Sequence, residues 1–171
     1  MAVHAQLRAA TAGDHEVVDA AFARFDLNDP ADYTAFLTAH AQALPAIEDA
    51  LARFPGLPPM RPRGALLAND LATLGLPMPV APDFTMLHDL ATAFGAAYVI
   101  EGSRLGGGLL ARRVSPGLPT GYLSAVHLPG EWRAFSQALD HAADKEGQDW
   151  LDRSIAAARA VFRLYARAAA S

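Results

Sequence analysis

The chain lacks cysteine altogether, although it is 171 residues long. This absence excludes a disulfide framework, thiolate metal sites and a cysteine nucleophile. Charge is also modest, because only 19% of the residues are charged and the formal net charge is −4. A chain of net negative charge is a poor non-specific ligand for nucleic acid, so we expect no nucleic-acid partner.

Targeting signals and long apolar runs are missing too. The first residues lack the basic and apolar regions of a secretory signal, and no apolar run reaches the length of a membrane span. We therefore expect a cytoplasmic protein that makes no membrane contact, and we take a monomer as its expected state.

The residues that are abundant favour helix. Apolar residues make up 52% of the chain. Ala, Leu and Arg are common whereas Val and Ile are scarce, which favours helix over sheet. The length allows one substantial core, so we predict one all-α domain, residues 1–171, of about seven helices. The main predicted helices run from about Ala5 to Phe25, from Pro30 (capped by Asp29) to Leu51, from Ala65 to Leu74, from a cap at Asp83 to Arg113, from Glu131 to Ala142 and from Gln148 to Ala169.

The most unusual stretch is the glycine-bearing part of the fourth of these helices. Gly102, Gly106, Gly107 and Gly108 fall inside an apolar helical run. Each interior glycine lowers helix stability by about 1 kcal/mol relative to alanine, so the four together forfeit roughly 4 kcal/mol. A close approach of the backbone to another body, either a second helix or a flat ligand, would offset this loss.

Nucleotide-binding and hydrolase motifs do not explain these glycines. The run from Gly102 to Gly106 lacks the Lys and Ser/Thr of a phosphate loop, and its glycine spacing is not that of a dinucleotide fingerprint. Two residues separate Ser103 from Gly106, so it is not a Gly-x-Ser-x-Gly elbow. All three motifs also need a preceding strand, which the pattern does not predict.

The histidines point to a different chemistry. Six are present, but none forms a His-x-x-x-His pair, so a zinc site is not expected. A single histidine can still be the axial ligand of heme iron. His15 is the best candidate, because Asp19 follows one helical turn later and could accept the other imidazole N–H.

Two runs of the sequence resemble heme oxygenases, in particular the bacterial, biliverdin-producing branch. The run Leu-Arg-Ala-Ala-Thr-Ala-Gly-Asp-His, residues 7–15, is similar to the proximal-helix pattern Leu-x-x-Ala-Thr that precedes the iron-ligating histidine. The run Tyr-Val-Ile-Glu-Gly-Ser-Arg-Leu-Gly-Gly, residues 98–107, resembles the distal helix and is the more specific of the two. Segments 70–75 and 132–135 fall in the expected order, so the resemblance spans most of the chain.

The resemblance implies an all-α, multi-helical heme oxygenase-like fold with heme between a proximal helix and a glycine-kinked distal helix. His15 would ligate the iron, with Asp19 as its hydrogen-bond acceptor. Heme would be both cofactor and substrate, oxidised with O2 and electrons from an external donor, such as a ferredoxin or a reductase, to biliverdin, CO and iron. A photoreceptor that uses biliverdin is a candidate downstream partner. Gly102, Gly106 and Gly107 would let the backbone approach the porphyrin, and Ser103 would relay protons through ordered water where eukaryotic members carry Asp.

Each of the remaining pocket residues has two possible interpretations. Arg8 and Arg133 could pair with the heme propionates or be ordinary surface cations. Phe162 and Tyr98 could pack on heme or belong to the core. Two alternatives to the oxygenase also stay open, namely a heme-binding or sensor protein of the same fold without turnover, and a helical bundle whose glycines only allow close helix packing.

Overall fold

The structure, a computed structural model, describes residues 2–171, and within this range it contains eight α-helices and no strand. The helices are α1 (Val3–Ala10), α2 (Ala12–Phe22), α3 (Pro30–Ala41), α4 (Leu44–Leu51), α5 (Gly64–Thr73), α6 (Leu90–Ala111), α7 (Glu131–Ala143) and α8 (Gln148–Ala170). The all-α prediction is confirmed. In the described residues, no helix combines the length and the apolar character needed to cross a bilayer.

The first predicted helix, Ala5 to Phe25, is in fact two helices. The break lies at Thr11, whose φ of −109° and ψ of 6° depart from helical values. The Thr11 hydroxyl donates to the Leu7 carbonyl at 2.7 Å and so satisfies an acceptor at the end of α1. Gly13 lies inside α2 and does not interrupt it.

The second predicted helix starts where expected but also divides. Asp29 caps α3 by accepting from the Asp32 amide at 2.9 Å, and Pro30 takes the first helical position. The predicted continuation to Leu51 is wrong, because α3 ends at Ala41 and Pro45 occupies the first turn of a new helix, α4. A proline has no N–H to donate, so it suits a helix start better than an interior.

The glycine-bearing helix starts later than predicted. Asp89, rather than Asp83, is its cap, and it forms a capping box with Thr92, whose amide lies 2.9 Å from the Asp89 carboxylate. A capping box satisfies two free amides at once, whereas Asp83 has no such partner three residues later. Phe84 and Leu87 are nevertheless buried, in non-helical chain. The helix then continues through all four glycines to Ala111.

Helix α8 is the central element of the fold. Both α6 and α2 pack along it, and α3 and α1 also contact it. Twelve of its 23 residues are buried, which gives the other helices a continuous apolar surface. At the crossing of α6 and α8, Gly95 lies against the backbone of Ser154. Because α2 and α6 share α8 as their support, this helix determines how the two are placed.

Replacing Gly95 with alanine should destabilise the protein by about 3 kcal/mol, despite alanine's better helix propensity. An added Cβ would overlap the Ser154 carbonyl oxygen, which is backbone and cannot rotate away. Urea unfolding of the ligand-free protein measures the loss. Gly106→Ala is the matched control, because a Cβ there meets no atom within 4 Å. Equal stability of the two variants would contradict this account of the crossing.

Candidate functional site

Helix α2 is unusual because none of its residues is fully buried, although one side of it packs on α8. The His15 side chain is 60% exposed. Its Nδ1 atom lies 3.2 Å from the Asp19 carboxylate, one turn later on the same helix. Within residues 2–171, Nε2 of His15 forms no hydrogen bond. The ring therefore presents one nitrogen to a carboxylate and leaves the other free.

Phe162 connects His15 to the core. It lies on α8, is buried, and meets the His15 ring edge to face at a centroid distance of 5.8 Å. Phe162 is therefore buried, as its interpretation as a core residue requires, and its packing on heme stays a prediction. Its contact with the imidazole also limits how the ring can turn, so the residue supports the candidate site from below.

Helix α6 presents an open face to solvent. Tyr98, Gly102 and Gly106 recur every four residues and so share one side of the helix, together with Leu105 and Leu109. Leu105 is 59% and Leu109 67% exposed, although large apolar residues normally face a core. A Cβ on Gly106 would meet no atom within 4 Å, and one on Gly102 would meet only Trp132 Cη2, at 3.7 Å. This face is apolar, nearly flat at its glycines, and uncovered.

Gly107 faces the other way, contrary to the expectation that it lies against a flat ligand. It is buried, and a Cβ there would lie 2.6 Å from the Leu123 carbonyl oxygen. Its missing side chain is therefore explained by the packing of the segment around Leu123 against α6. Of the three glycines assigned to the ligand, only Gly102 and Gly106 lie on the open face.

Ser103 is held by a buried cation. Its hydroxyl donates to the Ile100 carbonyl at 2.6 Å and accepts from Arg63 Nη2, also at 2.6 Å. Arg63 is only 2% exposed, and its guanidinium lies over the Tyr122 ring at 5.1 Å. Among the described residues, Arg63 forms no ion pair, and its Nε atom is buried without a hydrogen-bond partner. A buried positive charge therefore lies directly under Ser103.

A neutral polar group lies beyond Arg63. The Tyr122 hydroxyl is 2.7 Å from His40 Nδ1. Burial, with a smaller contribution from the Arg63 charge, lowers the pKa of His40 to about 3. Burial likewise raises the pKa of Tyr122. Both groups are therefore uncharged at neutral pH, so they satisfy each other without offsetting the Arg63 charge.

The two arginines assigned to propionates are both exposed. Arg8 lies in the last turn of α1, close enough to Tyr98 for its charge to oppose the rise that burial causes in the pKa of the phenol. Arg133 follows Trp132 on α7, and Trp132 contacts Tyr98 at a ring-centroid distance of 6.0 Å. Within residues 2–171, neither arginine forms an ion pair. Both are free to pair with an anionic ligand.

Three residues of this region were not predicted from the sequence as site residues. Leu105 and Leu109 could have been found, because they continue the helical face of Gly102. Arg63 could not, because nothing in its loop sequence indicates burial or a partner 40 residues away. Two of the cavities lined by the described residues flank α6, and neither includes His15. The larger, of about 340 Å³, is lined in part by Leu105, Leu109 and Arg112.

The chain is similar in structure to solved heme oxygenases. The heme oxygenase of Neisseria meningitidis, described in its NO- and CO-bound forms, matches with a TM-score of 0.77 and 19% identity, over 99% of this chain and 90% of that one. Heme oxygenase from Leptospira interrogans matches with a TM-score of 0.68 and 18% identity, over 99% of this chain and 98% of that one. No protein-family model and no curated protein sequence matches the chain.

The matches define the class of fold. An all-helical chain that is superimposable over almost its whole length on two bacterial heme oxygenases has the heme oxygenase fold. The predicted all-α, heme oxygenase-like fold is confirmed, and the resemblance to heme oxygenases is confirmed as a likeness of fold. Because the sequence identity to both structures is below one fifth, the roles of individual residues must be argued from the geometry of this chain.

Proposed function

We propose that this protein is a heme oxygenase that converts heme to biliverdin, CO and iron, using O2 and electrons from an external donor such as a ferredoxin or a reductase. One observation carries the proposal. In this heme oxygenase fold, α2 and α6 both pack on α8. Helix α2 carries an exposed histidine with one free ring nitrogen, and α6 presents an open apolar face that is interrupted by glycine.

The proximal side fits an iron ligand. A ligating histidine needs one unprotonated nitrogen and usually donates its other N–H to a carboxylate. The Asp19 carboxylate, 3.2 Å from Nδ1, favours the tautomer in which Nδ1 carries the hydrogen, so the Nε2 lone pair is available. The exposure of His15 means that no core contact must be broken for a large planar ligand to reach it.

The distal side fits a flat apolar ligand. The absence of side chains at Gly102 and Gly106 lets a ring system approach the backbone of α6, and Leu105 and Leu109 would bury apolar surface against it. Covering these two leucines would also exclude water from the ligand. Arg8 and Arg133 have no ion-pair partner in the described chain, which suits them to the carboxylates of heme.

The two polar groups of the distal side, Ser103 and Arg63, have different roles. Bound heme would supply the iron centre and the ring carbon that is oxidised. The Ser103 proton is committed to Ile100 and one lone pair accepts from Arg63, so the hydroxyl can still accept from one water molecule. Ser103 therefore orients water rather than donating its own proton. The unpaired Arg63 charge favours negative charge on the ligand side of α6.

Titration with hemin tests the proposal. We expect a one-to-one complex with a Soret band, and its conversion to a bilin that absorbs in the red when a competent reductase and catalase are present. A stable complex that gives no bilin would instead support a non-catalytic heme-binding protein of the same fold. Failure to bind hemin would exclude both functions and leave Gly102 and Gly106 without a ligand.

A further inference from the structure

A cluster of charged residues lies behind the glycine face of α6. Glu101 and Arg104, three residues apart, are 6% and 2% exposed, and Arg104 Nε lies 3.2 Å from both carboxylate oxygens of Glu101. Burial lowers the pKa of Arg104, and the Glu101 charge opposes this shift. Arg104 also donates to the Ala125 carbonyl at 2.9 Å and to the Arg61 carbonyl. Two non-helical segments are thus tied to the back of α6.

His127 reaches the helix backbone from one of these segments. Its Nε2 atom lies 2.9 Å from the carbonyl oxygen of Glu101. A carbonyl only accepts, so Nε2 must carry the hydrogen. In a helix the same carbonyl accepts from the amide of Leu105, and its two lone pairs accommodate both donors. His127 therefore holds the peptide group between Glu101 and Gly102, the first glycine of the run.

The other ring nitrogen is enclosed by acceptors. Nδ1 of His127 is buried without a hydrogen-bond partner, 3.7 Å from Glu101 Oε2 and 3.6 Å from Glu131 Oε2. Glu131 is itself held by Arg61 and by the Leu128 amide, which together lower its pKa to about 2. The two carboxylates are also acceptors, but they lie 3.7 Å and 3.6 Å from Nδ1, whereas the Glu101 carbonyl lies only 2.9 Å from Nε2. The ring can therefore turn only by giving up its contact with α6.

His127 also supports the side chain next to Gly102. Its ring lies 5.8 Å from the Trp132 ring, between centroids, and Trp132 Cη2 is the atom that a Cβ on Gly102 would meet. One histidine thus contacts both the peptide before Gly102 and the side chain beside it.

We propose that His127 is a positioning residue, which holds the Glu101–Gly102 peptide and Trp132 so that the open face of α6 lies at the correct distance from heme. This inference rests on the proposed function for the identity of the ligand. A peptide next to a glycine has little steric restraint of its own, so an external hydrogen bond has a large influence on its orientation. The seating of the ring, and with it the ratio of bilin isomers, should depend on His127.

Three substitutions separate the hydrogen bond from general packing. His127→Leu removes the donor, His127→Gln keeps an N–H near the Nε2 position, and His127→Asn has an amide too short to reach the Glu101 carbonyl. In the ligand-free protein, we expect amide exchange in residues 102–106 to be about tenfold faster in the Leu and Asn variants. Their hemin Kd should rise about tenfold and their bilin isomer ratio should change, whereas the Gln variant should resemble the wild type.

His88→Leu is the matched control, since His88 is an exposed histidine just before α6. If the Leu variant does not fold, the Asn and Gln variants make the same comparison. Unchanged exchange at residues 102–106, or exchange that rises equally along the whole chain, would overturn the inference. The exchange measurement needs no heme, so it stays informative if the wild type fails to bind hemin, a result that would refute the proposed function alone.

Discussion

Substituting His15 with alanine should leave the fold intact and lower bilin formation at least about 100-fold. The fold should survive because the side chain is 60% exposed and α2 contains no fully buried residue. Activity should be lost because the chain then offers no free imidazole nitrogen beside the Asp19 carboxylate. The Soret position of the hemin complex, its turnover with a reductase, and the circular dichroism of the ligand-free protein measure iron ligation, activity and fold, respectively.

Two comparisons make the His15 result specific. His141→Ala, an exposed histidine on α7, should behave like the wild type in all three measurements. In a His15→Gly variant, added imidazole should restore much of the wild-type Soret band, since it can occupy the vacated position. A His15→Ala protein with wild-type spectra and rates would show that another group binds the iron.

Enlarging Gly106 to leucine should have opposite effects on stability and on ligand binding. The ligand-free protein should become about 0.8 kcal/mol more stable, because leucine is the better helix former and an added Cβ meets nothing within 4 Å. Hemin affinity should fall at least about 100-fold, because the new side chain fills the space that a flat ligand needs. Urea unfolding and hemin titration measure the two effects.

The control for Gly106→Leu is Ala72→Leu, an exposed position on α5. It adds comparable apolar bulk to a helix surface away from α6 and should leave hemin affinity unchanged. If Gly106→Leu binds hemin as tightly as the wild type does, the open face of α6 is not the ligand surface. Gly106 would then have neither a packing neighbour nor a ligand to account for its missing side chain.

Several features followed from the sequence because they are local. The pairing of His15 with Asp19 depends on a spacing of four residues in a helix, and the Asp29–Pro30 start of α3 depends on capping chemistry. The same reasoning failed where several local signals competed. Asp83 and Asp89 both could begin α6, and the Thr92 partner decided in favour of Asp89. Pro45 similarly divided a helix that was expected to be continuous.

The glycines show the limit of sequence reasoning most clearly. The sequence established that four of them destabilise α6 by an amount that something must offset, but it could not assign each glycine to a neighbour. The structure places Gly107 against Leu123 and leaves Gly106 open. It also shows that Gly95, which the composition of the run did not single out, is the glycine at the crossing with α8.

The sequence by itself determined the helical class, the spacing of His15 and Asp19, and the presence of an apolar helix with too many glycines. Only the tertiary structure decided which partners those residues have. The contacts of Arg63 with Ser103 and of His127 with Glu101 join positions 40 and 26 residues apart. Such contacts have no local periodicity, because they depend on how separate helices and loops pack around α8 rather than on the rise of a single helix.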